Sequence, residues 1–178
     1  MIEAMLLIIV RTFLAALLLA SAAHKFMALD QFRLAVTDYD VLPRQMIGAV
    51  TWGLPLAELI IGAALLWQPF HLWAGVAAAM MFALYAVVML VNLVRGRRDI
   101  ECGCSFGSGR TVSYALPFRN AGLAALAMVV AMIGVTVDIG VFAHVNAAAC
   151  GVVMFLIYAG LDVLAANAQR IKAGGLRP

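Results

Sequence analysis

Five stretches of this chain, at about 4–28, 46–67, 71–94, 118–137 and 141–167, stay apolar for long enough to cross ~30 Å of hydrocarbon, which takes roughly 20 helical residues. A chain in lipid must satisfy its own backbone hydrogen bonds, so spans of this length fold as helices. The expectation is an all-α integral membrane helical bundle of about five transmembrane helices, forming a single membrane domain over 1–178. Composition agrees, with 66% hydrophobic residues, 12% charged and a mean hydropathy of +1.04, well beyond what a water-soluble core of this length needs. The net charge of +3 is small and the basic residues are not gathered into a patch, which argues against nucleic acid as a partner.

The connections are short except at two places. "QPFH" and "VDIG" read as tight turns between antiparallel helices. "LDQFRLAVTDYDVLP" mixes Leu29, Phe32, Leu34 and Val36 with Asp30, Arg33, Asp38 and Asp40, as an interfacial helix or turn would, and Pro43 opens the next helix. The long polar break is the loop 95–117, which carries Cys102 and Cys104. "FLAALLLASAAH" imitates the apolar part of a signal peptide, but Glu3 stands where a basic n-region belongs, so a retained first helix is expected. Apart from Arg11, the basic residues fall on one side of a five-helix layout. On that count the C-terminus and the 95–117 loop lie in the cytoplasm and the N-terminus across the membrane, whereas a different helix count would place the loop in the periplasm.

Cys102 and Cys104 flank Gly103, and a disulfide across a single residue closes so small a ring that it should be strained and easily reduced. Arg97, Arg98 and Arg110 favour thiolate over thiol, while Glu101 opposes them. The second thiol, Cys104, is farther from Glu101 and is slightly preferred as the attacking one. Two idle reduced cysteines would be the bland alternative. A zinc site wants four ligands at recognisable spacing. His24, His71, His144 and Cys150 fall mostly at other depths, so no metal is expected. Cys150, inside the last span, reads as a small apolar core residue.

Ionisable groups in the membrane need a partner or a task. Counting ~1.5 Å of rise per residue from the helix ends, Arg11 and Glu58 reach similar depths on antiparallel helices, which predicts an Arg11–Glu58 ion pair. Such a pair would fix helix packing or serve a proton or quinone site. His24, Lys25, Asn92, Arg119, Asn120 and Asp162, from four helices, converge on the level of the Cys102/Cys104 loop and would build a polar pocket under it, although snorkelling accounts for Lys25 and Arg119 singly.

Lys25 at the end of the first helix, "DVLP" at 40–43, "LPLAELIIG" at 54–62, "NLVRGRRDIECGCSFG" at 92–107 and "FRNAG" at 118–122 together resemble the MauE family of membrane accessory proteins, within the wider DoxX-like group. The family pattern reads Cys-Gly-Cys-Phe-Gly, whereas Ser105 precedes Phe106 and Gly107 here. The resemblance implies a four-helix DoxX-like core plus one helix, in the bacterial inner membrane. It also implies thiol–disulfide exchange through Cys102 and Cys104 with a thioredoxin-like, MauD-like partner, supporting maturation of a periplasmic client such as methylamine dehydrogenase. Lys25, Glu58, Asn92, Arg119 and Asn120 match motif positions of the family. Two other readings stand beside this one: a non-catalytic scaffold that uses the cysteines as a local clasp, and a quinone or small-molecule carrier built around Glu58 and Arg11. No haem, flavin or nucleotide motif is recognisable, and a quinone site would need only an apolar cleft with a few polar groups.

Overall fold

The computed structural model describes residues 2–96, 114–133 and 140–174. Cys102 and Cys104 lie outside these residues. The described chain is helical throughout: α1 Ile2–Met27, α2 Leu29–Asp38, α3 Arg44–Leu66, α4 His71–Val94, α5 Ala115–Met132 and α6 Gly140–Gly174, with a short 3-10 turn at Gln68–Phe70. Five of these helices are long and apolar enough to span a membrane, as the sequence predicts, and the sixth, α2, is a ten-residue connector.

Local chemistry sets the helix ends. Glu3 in the first turn of α1 and Lys25 in its last turn both complement the helix dipole. Pro43, extended at ψ 144°, precedes α3. Gly96 closes α4 in the left-handed region at φ +77°, its N–H bonding the Leu93 carbonyl 3.0 Å away, a conformation glycine adopts without a Cβ penalty. Inside α3, Pro55 removes a ladder hydrogen bond and is buried against the bundle.

Helices α1, α3, α4 and α5 form the core, centred on Phe13, Leu14, Leu18, Leu65, Ala78, Phe82 and Ala127. Small residues let the backbones close up. A Cβ on Gly75 of α4 would stand 2.7 Å from that of Ala131 on α5, and one on Gly151 of α6 would stand 2.6 Å from the Ile9 carbonyl oxygen on α1. Among the described residues, the α6 backbone packs on that of α1 alone. The rest of its surface, with Val145, Val153, Leu156 and Leu164, faces outward, as lipid contact allows. Cys150 belongs to that outward surface rather than to the core expected for it, because the α6 stripe that meets α1 runs through Ala147 and Gly151.

The antiparallel arrangement gathers the end of α1, the start of α3, the end of α4 and the start of α5 at one end of the bundle. Gly96 and Tyr114, the described residues that flank the Cys102/Cys104 segment, stand at this loop end.

Candidate functional site

Lys25 sits one helical turn after Ser21 on the same face of α1. Opposite, on α3, Glu58 follows Pro55 by three residues, and on α4 Tyr85 turns its hydroxyl inward. The Lys25 ammonium forms a salt bridge with Glu58 Oε1 and donates to Ser21 Oγ at 3.0 Å and Tyr85 Oη at 3.1 Å, which uses all three of its N–H groups. Ser21 and Tyr85 in turn donate to the same carboxylate oxygen, at 3.1 and 2.5 Å. The ring faces of Phe32 and Tyr85 cover the ammonium, with centroids 5.4 and 4.9 Å away.

Both charges are sealed in, with Lys25 1% and Glu58 0% exposed. Snorkelling therefore does not describe Lys25. An ammonium and a carboxylate in this setting persist because each neutralises the other, with the Lys25 donors and Glu58 Oε1 satisfied within the cluster.

A second pair joins α5 to α6. Arg119 donates to Asp162 Oδ1 at 2.6 Å, and its guanidinium carbon lies 5.6 Å from the Tyr158 ring centroid. Between the two pairs is a cavity of about 20 Å³ bordered by Ser21, Glu58, Tyr85, Arg119, Asn120 and Tyr158. Among the described residues, Glu58 Oε2 and Arg119 Nε are buried without a hydrogen-bond partner, and that volume is enough for about one water. Asn120 and Asn92 bond back to their own helices, to the carbonyls of Leu116 at 3.0 Å and Val88 at 3.1 Å, leaving Asn92 Oδ1 unpartnered. Among the described residues no three His, Cys, Asp or Glu side chains group as a metal site.

The structure brings together Lys25, Glu58, Arg119, Asn120 and Asp162, with Asn92 buried on α4. It corrects two expectations. His24 is exposed, because the residue before Lys25 is rotated ~100° around the helix from it. Arg11 does not pair with Glu58: its Nη1 donates to Gln68 Oε1 at 3.2 Å, beyond the far end of α3. The two residues would share a depth only if the outer ends of α1 and α3 were level. In the fold α1 overhangs, so that Ala15 and Leu19 meet Gly62, and Ser21 and Lys25 meet Glu58. Arg11 is thus displaced from Glu58 by about ten residues, or ~15 Å of helix. Ser21 and Tyr85 were not singled out from the sequence. The signals available were the four-residue spacing of Ser21 from Lys25 and a phenol inside an apolar span, which needs a partner when buried.

A helical membrane protein whose core buries an interhelical Lys–Glu pair is the class that fold and site define. The family model described as methylamine utilisation protein MauE matches residues 3–137. The chain belongs to this family. The match covers the four-helix core and ends before α6. Among its relatives, the methylamine utilization protein MauE of Paracoccus denitrificans is 36% identical over 133 residues, 74% of this chain and 71% of that one. The Paracoccus versutus protein of the same name is 32% identical over 161 residues, 86% and 84% of the two chains. That of Methylorubrum extorquens is 33% identical over 152 residues, 84% and 82% of the two chains. No solved structure gives a significant match.

Proposed function

We propose that the protein is a bacterial inner-membrane component of methylamine utilisation that exchanges disulfides through Cys102 and Cys104 with a thioredoxin-like partner, and so supports maturation of a periplasmic methylamine-oxidising enzyme. The observation that carries this reading is the Cys-Gly-Cys pair on the segment that joins α4 to α5, helices whose Tyr85 and Arg119 belong to two ion-pair clusters around one small cavity inside the bundle. Relatives named for methylamine utilization supply the process.

The exchange balances without a further reactant. One thiolate attacks a sulfur of the partner's disulfide, forming a mixed disulfide and releasing the partner's other sulfur as thiolate. The second cysteine, as thiolate, then attacks its neighbour's sulfur, closing the Cys102–Cys104 disulfide and leaving the partner as a dithiol. Two electrons have passed to the partner, and the same steps run backwards oxidise it. Positive-inside sorting supports a cytoplasmic Cys-Gly-Cys loop.

The test uses single and double Cys→Ser variants in cells growing on methylamine. Cys102→Ser and Cys104→Ser singly are expected to abolish active enzyme, and the one that retains the attacking thiol should accumulate a reductant-sensitive adduct with the partner. Wild-type enzyme levels in the Cys102→Ser/Cys104→Ser variant would overturn thiol exchange and leave the scaffold. Loss of function with Glu58→Gln in a correctly folded protein, with the thiols dispensable, would instead point to a carrier.

A further inference from the structure

Beneath α2 lies a second, larger space. It measures about 280 Å³, opens to the outside, and is walled by Phe32 and Val36 of α2, Leu54 of α3, and Leu84, Tyr85 and Val88 of α4. Helix α2 packs on α3 and touches α1, but its backbone does not reach α4. Phe32 is its one buried residue. The gap between α2 and α4 is this chamber.

Protein interiors leave few voids larger than a water molecule, and this one is many times the single-water cavity beside Glu58. Water is a poor occupant, since a buried water needs two to four polar partners, and the walls offer almost none: the Tyr85 hydroxyl, the one hydroxyl among them deep in the bundle, is already engaged by Lys25 and Glu58. A carbonyl-bearing ring would lose its hydration here without recovering hydrogen bonds. A plain hydrocarbon segment loses nothing and buries apolar area.

We infer that the chamber binds one acyl chain of a bilayer phospholipid as a fixed part of the fold. The chamber begins at Tyr39, Val41 and Leu42 and runs inward along α3 to Leu54, which is ~15 Å of helix beyond Arg44. At its rim Arg95 donates to the Asp40 carbonyl at 3.2 Å, and Arg44 and Asp38 flank the same segment, so groups of both signs meet the position of a zwitterionic headgroup. The bound chain fills the side of α2 that no helix covers and so holds Phe32 over the Lys25 ammonium. This inference is independent of the thiol chemistry.

The experiment reconstitutes the full chain in nanodiscs of phosphatidylethanolamine and phosphatidylglycerol, with a phosphatidylethanolamine that carries a diazirine in one acyl chain. After photolysis, adducts are mapped by peptide mass spectrometry. The expected result is adducts on Val36, Leu54 and Val88 that saturate at a single lipid per chain. They should fall several-fold in Val88→Trp and in Leu84→Trp, which fill the chamber from its inner wall and its open side, while helical content and Tm persist. Adducts confined to outward surfaces such as Val153 and Leu156 of α6 would overturn the inference. So would chamber adducts displaced by a long-chain quinone and not by unlabelled phospholipid, which would assign the chamber to the quinone.

Discussion

Replacing Lys25 by Met removes the ammonium and keeps a long, flexible side chain of similar reach. What remains is a fully buried Glu58 carboxylate whose Oε1 retains Ser21 and Tyr85 as donors and whose Oε2 already lacks a partner. Breaking a buried pair by removing one member costs about 3–5 kcal/mol. For a chain of this size, ~2–4 °C per kcal/mol translates that into a Tm lower by about 6–20 °C. Lys25→Met/Glu58→Met removes both charges, and because apolar replacement of a buried pair is often neutral or stabilising, its Tm should return to near the wild-type value. Thermal unfolding of the detergent-solubilised protein, read by circular dichroism for wild type, each single variant and the double variant, closes the cycle. If Lys25→Met unfolds within ~2 °C of wild type, or if the double variant loses as much as the single, the two side chains do not depend on each other and the site as described is wrong.

Two other substitutions probe the packing. Gly151→Leu puts its Cβ 2.6 Å from the Ile9 carbonyl oxygen and 2.8 Å from Thr12 Cβ, so α6 must move off α1; a Tm loss of about 2–12 °C is expected from ~1–3 kcal/mol of overpacking, whereas Gly160→Leu, which meets open space, should leave Tm unchanged. Arg11→Met removes a cation whose partner among the described residues is the neutral Gln68, so in the same unfolding assay its Tm should be unchanged or raised; a loss as large as that of Lys25→Met would reinstate an Arg11–Glu58 pair.

Individual charged residues were easier to recognise in the sequence than their partners. Arg11, Lys25, Glu58 and Arg119 stand out because a charge inside an apolar run is expensive wherever it lies. Pairing them requires the axial offset between helices, and no local rule sets that. Pro55 and Pro43 mark positions on α3, but the contact of Gly62 with Leu19 decides which turn of α1 Glu58 meets. The same offset hid Ser21 and Tyr85, unremarkable among apolar neighbours until Lys25 is placed between them. The chamber under α2 could not be anticipated from residue types, since Val36, Leu54 and Val88 read as ordinary core or lipid-facing positions.

By itself the sequence determined the membrane class, the number of spans and the family, along with the two thiols that carry the proposed chemistry. Hydropathy over ~20 residues and a Cys-Gly-Cys spacing are properties of contiguous chain. The tertiary structure decided that Lys25 rather than Arg11 neutralises Glu58, that Arg119 holds α6 through Asp162, and that α2 leaves a hydrocarbon-lined space against α4. Each of these depends on the offsets of helices along one another, and those follow from where small residues such as Gly62, Gly75 and Gly151 let two backbones come close.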